Sequence, residues 1–553
     1  MILPVMRIAP SLLVIVTLLF GRAVFAAEAG PKLRPQGTAT QLVVKGQPLL
    51  LLAGELGNSS GEPEYLRSSW PRLKAMNLNT VLTPVYWDQL EPAEGTFDFS
   101  QVDGLIRDAR ANNMHLVLLW FGVWKNSMST YVPAWVKRDR TRFPHSRDSA
   151  GRAVEILSPF AAATLQADAK AFAALLRHLR ETDGEPQTVV MVQVENEIGM
   201  IPEARDRSPE ADKLFAQAVP PALLAHLAKN FDRLSVELRD RWVANGRKAA
   251  GTWTEVFGPG VGTDEIFMAW HFARFVDQLT AAGKAEYPLP MYVNAALIRP
   301  GHLPGQYPSA GPLPHLYDVW RAGAPAVDFL SPDIYFTNFT EWVRRYTREG
   351  NPLFIPEAMR SPEAAVNGVV AIAGYNAMGF SPFAIESFSG DVARYLTDSY
   401  AFLDQLSPLI LAHQGHGTMV GVMSEGPEQR QPQQVWLGGY VLHVTFDRGA
   451  SAGPADGATA ASASAQAAPV GGLVIASGPD EFILGGMGLT ITFQSREAGG
   501  PFVGLLSVEE GRFSAGQWEH IRWLNGDQTH QGRHIRLEPG RFGLQRVKLY
   551  PFR

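Results

Sequence analysis

The sequence contains no cysteine in its 553 residues. Thiolate catalysis, zinc–thiolate centres and iron–sulfur clusters are therefore excluded, because each of them requires cysteine sulfur. Disulfide bonds are excluded as well, and a chain of this length does not need them because its core is large. No set of histidines and carboxylates shows the spacing of a metal site, so neither a metal nor another cofactor is expected.

The chain also lacks a strong charge of either sign. It has 49 lysines and arginines against 54 aspartates and glutamates, which gives a formal net charge of −5 and a pI near 6.3. This balance gives no electrostatic reason to expect nucleic acid or an anionic membrane as a partner, and a neutral or mildly polar substrate fits it better. With 46% hydrophobic residues, the chain is long enough for a large core and more than one domain.

Long hydrophobic runs are absent except at the N-terminus. Residues 8–20 are largely apolar, Arg7 precedes them, and small residues follow up to Ala26 and Ala27. This layout predicts a secretory signal peptide over residues 1–27 and export to the periplasm or the cell exterior. The alternative is a single membrane anchor, but the run is short for a full span. No later segment is apolar enough to cross a bilayer, so no membrane contact is expected after cleavage.

Short apolar runs alternate with helical patterns between about residues 40 and 405. Most of the runs are continuously apolar, which is typical of parallel strands covered on both faces. The eight candidate strands are 48–54, 79–85, 115–121, 188–194, 290–295, 327–332, 353–356 and 379–385. This pattern predicts an α/β fold in which residues 40–405 form a (β/α)8 TIM barrel. The alternative is a doubly wound open sheet, which would usually carry a glycine-rich phosphate loop that is not found here.

The pattern of residues changes after residue 405. Residues 406–553 consist of strand-like segments broken by glycine and proline turns, which predicts an all-β, sandwich-like accessory domain. Within it, residues 451–469 are a low-complexity segment of alanine, serine and glycine, predicted to be a mobile loop. Three roles stay open for this domain: binding carbohydrate, covering the barrel mouth or forming a homodimer.

The fourth candidate strand ends in an unusual cluster of polar residues. The stretch TVVMVQVENEIG at 188–199 runs straight into Glu195, Asn196 and Glu197. In a barrel, residues past the C-terminal ends of the strands converge on one mouth, where active sites lie. Strand alternation would separate Asn196 from Glu197, so the strand must end or bulge here if both contact one ligand, and Gly199 makes such a break cheap.

A second carboxylate follows the seventh candidate strand. In LFIPEAMR, Pro356 marks a strand terminus and places Glu357 at the rim. A single glutamate could equally form a salt bridge, but two glutamates at the ends of strands four and seven favour catalysis. A retaining glycosidase uses such a pair, one as nucleophile and one as acid/base, with the carboxyl groups about 5–5.5 Å apart.

Three segments resemble glycoside hydrolase family 35, the β-galactosidases. VQVENEIG resembles the family's VQVENEYG motif, LEPAEGTFDF (90–99) its EPxxGxFxF segment, and VPAWVKRD (132–139) its PAW segment. The resemblance covers most of the barrel and implies that Glu197 is the acid/base, Asn196 the ligand of the sugar 2-hydroxyl and Glu357 the nucleophile. Tyr335, in SPDIYF, resembles the tyrosine that related glycosidases set against their nucleophile.

The sequence departs from the family pattern after the first and third strands. WKNS at 124–127 stands where the family commonly has CAEW, and GELGNSS at 54–60 replaces the usual segment after strand one. Polar residues in these segments are candidate ligands of sugar hydroxyls, and aromatic residues nearby are candidates for stacking on a sugar face. These further candidate substrate-binding residues are Glu55, Asn58, Tyr86, Trp124, Lys125 and Asn126.

Together these patterns predict an exported, exo-acting, retaining β-galactosidase that releases terminal β-linked galactose from oligo- or polysaccharides. Plant cell-wall side chains such as those of xyloglucan are one substrate class suggested by analogy. One alternative is another retaining β-glycosidase on the same barrel, such as an endo-mannanase or a galactanase. The other is a non-catalytic glycan-binding protein, against which the retention of both Glu197 and Glu357 argues.

Overall fold

The computed structural model describes residues 30–425, 431–447 and 468–553. The predicted signal peptide and residues 451–467 of the low-complexity segment lie outside these ranges. Within them, no helix combines the length and the apolar character that a membrane span requires.

Eight parallel strands close into a barrel, and each strand pairs with its neighbours in the sequence, with the eighth beside the first. Each observed strand overlaps the run predicted for it. The predicted (β/α)8 barrel is therefore confirmed. The strands are β1 (Leu51–Glu55), β2 (Thr80–Tyr86), β3 (His115–Lys125), β4 (Val189–Asn196), β5 (Met291–Ala296), β6 (Phe329–Ile334), β7 (Ile355–Ala358) and β8 (Gly379–Pro382).

The long helices of the barrel pack an apolar face against the strands. In Ser100–Ala111, the buried residues Val102, Leu105, Ile106 and Ala109 recur at helical spacing. The other long helices are Ala162–Asp183, Val261–Glu286, Ala364–Tyr375 and Gly390–His413. Shorter helices and turns are Pro63–Leu66, Trp70–Ala75, Trp87–Leu90, Ala134–Arg138, Pro209–Phe215, Pro221–Lys229, Phe231–Arg233, Val236–Ala244, Trp253–Phe257, Pro314–Leu316, Tyr317–Gly323, Phe339–Tyr346, Ile385–Ser387 and Gly526–Thr529.

An N-terminal three-stranded sheet covers one end of the barrel. It comprises Lys32–Gln36, Ala39–Val44 and Gln47–Leu49. Its residues Leu42 and Val44 share a hydrophobic cluster with the interior side chains of the barrel. Because these contacts are made where the barrel strands begin, the C-terminal ends of the strands remain the accessible mouth.

The C-terminal part is all-β, as predicted, and contains two antiparallel sheets. Hydrophobic residues of both sheets, such as Val474 and Leu484 of the larger and Leu442 and Ile491 of the smaller, form one shared cluster. This is the arrangement of a sandwich. In spatial order, the larger sheet contains Met419–Met423, Gly471–Gly478, Glu481–Met487, Gly543–Phe552, Phe502–Ser514 and Gln517–Trp523; the smaller contains Gln433–Leu437, Tyr440–Phe446, Leu489–Ser495 and Ile535–Leu537.

The larger sheet also packs on the outside of the barrel. Met419, Leu473 and Ile475 belong to the same hydrophobic cluster as the barrel helices. Phe542 stacks on Phe402 of the last barrel helix with ring centroids 4.9 Å apart. The barrel and the sandwich therefore share a hydrophobic contact.

Candidate active site

Strand β4 ends with two residues in the left-handed region of backbone conformation. Glu195 has a φ of 59° and Glu197 a φ of 45°. The neighbouring strand β3 shifts register between Trp120 and Lys125, so that Lys125 pairs with Asn196. The regular alternation of side chains is therefore interrupted at Asn196 and Glu197, where the sequence predicted that the strand must end or bulge.

A cavity of about 640 Å³ opens at the C-terminal ends of the strands. Polar side chains line its floor, and apolar side chains contribute much of its remaining wall. The lining residues are Asn58, Lys125, Asn126, Met128, Glu197, Ile201, Ala296, Leu297, Arg299, Pro308, Asp333, Tyr335, Phe336, Glu357 and Phe383. Charged groups and apolar surface together are typical of a site for a polar molecule with apolar faces, such as a sugar.

Glu197 and Glu357 face each other in this cavity. One carboxylate oxygen from each lies within 4.8 Å of the other and of an oxygen of Asp333. Both glutamates are buried. This separation fits the approach of about 5–5.5 Å in a retaining glycosidase, and it is shorter than the 6.5–9.5 Å of an inverting enzyme.

The Glu357 carboxyl contacts both a hydroxyl and a second acid. The Tyr335 hydroxyl donates a hydrogen bond to Glu357 Oε1, and the Glu55 carboxyl lies beside that of Glu357. Burial, followed by the charge of Glu197, raises the pKa of Glu357 to about 7, while Lys125 and Tyr335 act in the opposite direction. Lys125 and Tyr335 therefore favour the ionised form that a nucleophile needs.

Glu197 is held by amides. The Asn126 side chain donates a hydrogen bond to Glu197 Oε2, and the Glu197 backbone N–H donates to Asn294 Oδ1 at 3.0 Å. Asn294 Nδ2 in turn donates to Asp333 Oδ2 at 2.7 Å. The Glu197 main chain and the Asp333 side chain are thus fixed by one asparagine on β5.

Two further carboxyl groups lie beside the pair. Burial, followed by the nearby charge of Glu357, raises the pKa of Glu55 and of Asp333 well above their ordinary values. Both shifts favour the protonated form of these groups, and a protonated carboxyl can donate a hydrogen bond to an ionised neighbour. Glu55 lies beside Glu357 but is not among the residues that line the cavity, so its predicted role in binding substrate stays a prediction.

Sequence reasoning missed Asp333 and Asn294. Both occupy the ends of barrel strands, in SPDIYF and PMYVNA, and both strands had been predicted. Polar residues at the C-terminal ends of buried strands were the available signal.

Asn196 is fully buried, and neither polar atom of its side-chain amide has a hydrogen-bond partner among the residues that the structure describes. Leaving a buried polar group unpaired costs about 1–3 kcal/mol, so these two atoms need a partner. An amide next to the acid/base candidate could satisfy both atoms by binding a substrate hydroxyl. The role predicted for Asn196 stays a prediction.

Lys125 and Asn126 both line the cavity, where the sequence had placed them. Lys125 Nζ donates a hydrogen bond to Asn126 Oδ1 at 2.5 Å, and Asn126 contacts Glu197. The WKNS segment therefore contributes a cation and an amide to the floor of the site.

Trp124 and Tyr86 do not line the cavity, and their predicted role in stacking on a sugar is wrong. Strand β3 continues through Lys125, so Trp124 belongs to a strand; its ring is fully buried against Phe272 and Phe275 of the helix outside the barrel. The Tyr86 hydroxyl is buried, donating to Asn58 O at 2.9 Å and accepting from Gly61 N at 3.1 Å. Tyr86 therefore fixes the loop after β1.

The side chain of Glu195 supports the end of strand β3. Its carboxylate accepts hydrogen bonds from the backbone N–H groups of Val123 at 3.1 Å and Trp124 at 2.7 Å. A Cβ atom at Gly122 would lie 2.8 Å from Glu195 Oε1, so this close approach needs glycine. Glu195 thereby holds the end of β3 that carries Lys125.

The model of a glycoside hydrolase family 42, described as β-galactosidase, matches residues 60–361, which include both Glu197 and Glu357. The chain belongs to glycoside hydrolase family 42. Family 42 differs from family 35, so the predicted family 35 membership is wrong. The VQVENEIG motif indicates carboxylates at the end of a barrel strand. Retaining barrel glycosidases share this feature, so the motif does not distinguish one family from another.

The family 42 chain also matches a domain of unknown function, DUF5597, over residues 396–536. A β-galactosidase of Xanthomonas manihotis is 32% identical over 179 residues, which is 31% of this chain and 27% of that protein. This chain therefore spans about a quarter of the length of that relative.

Two solved β-galactosidases have a similar arrangement. The enzyme of Bacillus circulans sp. alkalophilus shows 14% identity and a TM-score of 0.45, with 66% of this chain and 57% of that chain covered. The cold-adapted enzyme of Rahnella sp. R3 shows 16% identity and a TM-score of 0.45, with 65% and 57% covered. The chain thus spans little more than half the length of these solved proteins.

Proposed function

We propose that this protein is an exo-acting, retaining β-galactosidase that releases terminal β-linked galactose from oligo- or polysaccharides. The observation that carries the proposal is the approach of Glu197 and Glu357 within 4.8 Å in a cavity at the barrel mouth. Membership in family 42, whose model is described as β-galactosidase, supports the choice of sugar.

The reaction has two steps. In the first, a Glu357 oxygen attacks the anomeric carbon, the bond to the leaving oxygen breaks, and Glu197 gives that oxygen its proton. In the second, Glu197 takes a proton from water, the water oxygen attacks the anomeric carbon, and the ester bond to Glu357 breaks. The configuration at the anomeric carbon is retained because it is inverted twice.

The two glutamates must start with one proton between them. The first step needs an ionised nucleophile and a protonated acid. The Tyr335 hydroxyl and the Lys125 ammonium both stabilise ionised Glu357. These two contacts support the assignment of Glu357 as the nucleophile.

The cavity also suggests how the substrate lies. Asn126 and Lys125 line the cavity and offer donors and acceptors for sugar hydroxyls, while the buried amide of Asn196, next to Glu197 in the chain, is the proposed ligand of the 2-hydroxyl. The outer wall, which includes Leu297, Phe336 and Phe383, is apolar and suits the remainder of the glycan. Galactose side chains of plant cell-wall polysaccharides such as xyloglucan are the proposed natural substrates. The N-terminal segment leads us to propose, in addition, that the protein is exported.

The role of each glutamate is tested with two aryl β-galactosides that differ in their leaving group. Glu357→Gln should lower turnover of both by orders of magnitude. Glu197→Gln should lower turnover of a phenyl galactoside by about 10²–10⁴-fold and that of a dinitrophenyl galactoside far less, because a good leaving group needs no proton. The exposed Glu185 provides a matched Glu→Gln control. Near-normal rates in either active-site variant would defeat the assignment.

Stereochemistry and product size complete the test. Proton NMR should show β-galactose as the first product, and a polymer should release monosaccharide from the outset. First-formed α-galactose would contradict the retaining mechanism. Early release of internal fragments would instead favour an endo-acting glycosidase.

A further inference from the structure

Three aromatic side chains lie exposed together at the outer end of the C-terminal sandwich. Phe502, Tyr550 and Phe552 are 72%, 42% and 46% exposed. The ring of Phe552 lies between the other two, with centroids 5.7 Å from Phe502 and 5.6 Å from Tyr550 and interplanar angles of 30° and 31°. We call these three side chains the aromatic platform.

The platform stands on a ribbon that projects from the larger sheet. Strand Phe502–Ser514 pairs with strand Gly543–Phe552, and the register places Phe502 opposite Phe552. The flanking strands pair only with residues 509–514 and 543–548 of these two strands. Within the described part of the chain, residues 502–507 and 549–552 therefore form a two-stranded extension, with the three rings on one face.

A glycine fixes the position of one ring. Gly504 is paired with Tyr550, and a Cβ atom at Gly504 would lie 2.5–2.9 Å from three atoms of the Tyr550 side chain. The tyrosine therefore lies across the strand in space that only glycine leaves free. This places the Tyr550 ring beside Phe552 and keeps the three rings in one row.

We propose that the aromatic platform is a second carbohydrate-binding site, for the backbone of a neutral β-linked polysaccharide. Sugar rings present flat C–H faces that pack on aromatic rings, and a row of three rings can contact successive units of one extended chain. The platform belongs to the sandwich, so it would hold a polymer while the barrel acts on side chains. The inference rests on the proposed function only for the choice of a polysaccharide.

The size of the platform favours a glycan over a second copy of this chain. Fully buried aromatic side chains cover 150–250 Å² each, so these three, partly exposed, offer roughly 300 Å². A stable protein interface needs about 800 Å² on each partner. A polysaccharide chain needs no more than a narrow strip of stacked rings.

The test measures binding and catalysis separately. Binding is followed by retardation of the Glu357→Gln protein in native gels that contain xyloglucan or galactomannan, with dextran as the α-linked control polymer. The variant Phe502→Ala/Tyr550→Ala/Phe552→Ala should bind both β-linked polymers about tenfold more weakly or worse, and no variant should be retarded by dextran. In the otherwise unaltered enzyme, the triple variant should keep normal turnover of an aryl galactoside.

Two further variants sharpen the result. Trp436→Ala removes an exposed aromatic residue of the other sheet, 58% exposed, and should leave retardation unchanged. Gly504→Val keeps all three rings but displaces Tyr550, and should weaken retardation. Circular dichroism checks that each variant is folded.

Equal retardation of the triple variant and its parent would overturn the proposal. It would also be overturned if the triple variant converted a dimer to a monomer in analytical ultracentrifugation while polysaccharide binding stayed unchanged. If the wild-type protein bound the polymers through the platform but hydrolysed no galactoside, the platform would stand and the proposed function would fail.

Discussion

The contact between Tyr335 and Glu357 makes a prediction about the pH dependence of catalysis. Tyr335→Phe removes the hydroxyl that donates to Glu357 Oε1 and leaves the ring in place. Since that hydrogen bond stabilises the ionised carboxylate, its loss raises the pKa of Glu357 above the present value of about 7. The nucleophile must be ionised, so the variant should lose activity at a higher pH as the solution is acidified.

The size of the effect follows from the strength of the bond. A hydrogen bond to a charged group contributes about 1.5–3 kcal/mol, and one pH unit corresponds to about 1.36 kcal/mol. Tyr335 is 39% exposed, so solvent weakens the contact and its contribution lies at the lower end of this energy range. The acidic limb of kcat/KM should therefore move up by about one pH unit.

The assay is kcat/KM on an aryl galactoside across the pH range, compared for wild type, Tyr335→Phe and the matched control Tyr65→Phe. Tyr65 is 63% exposed and is not among the residues that line the cavity, so its variant should keep the wild-type profile. An unchanged acidic limb in Tyr335→Phe would refute the reasoning. A lower rate with an unchanged profile would show that Tyr335 positions the substrate instead.

Two further predictions concern β3. Lys125→Met removes a cation that lowers the pKa of Glu357, so the acidic limb of kcat/KM should also move to higher pH in this variant. Lys125→Arg keeps the charge and should keep much of the wild-type profile. Identical profiles for the two variants would contradict this electrostatic role. Trp124→Ala should lower the free energy of unfolding in urea by about 3–5 kcal/mol with KM little changed, because the ring is a core group. A raised KM with normal stability would contradict this and would support a substrate-binding role for Trp124.

The barrel strands were predictable because burial on both faces leaves a continuous apolar run in each of them. The meeting of Glu197 and Glu357 followed from the same topology, since parallel strands end at one mouth. The structure has both residues there, 160 positions apart in the chain. Their chemical roles remain predictions.

The errors concern side-chain direction and strand length, which periodicity does not fix. Trp124 was assigned to a loop because β3 was expected to end at residue 121, whereas it continues to Lys125 and turns the ring outward. Tyr86 lies at the mouth end of β2, but its hydroxyl donates a hydrogen bond to the backbone carbonyl of Asn58 instead of facing the cavity. Asp333 was missed although it is a polar residue at the end of a buried strand, because the sequence does not show which side chains it will contact.

The proposed mechanism requires that Glu357 forms a covalent bond to the sugar. Incubation with a 2-deoxy-2-fluoro-β-galactosyl fluoride, followed by proteolysis and mass spectrometry, tests this directly, because the fluorine slows the second step and traps the ester. We expect a fluorogalactosyl group on the peptide that contains Glu357. A label on Glu197, Glu55 or Asp333, or turnover with no label on any carboxylate, would contradict it.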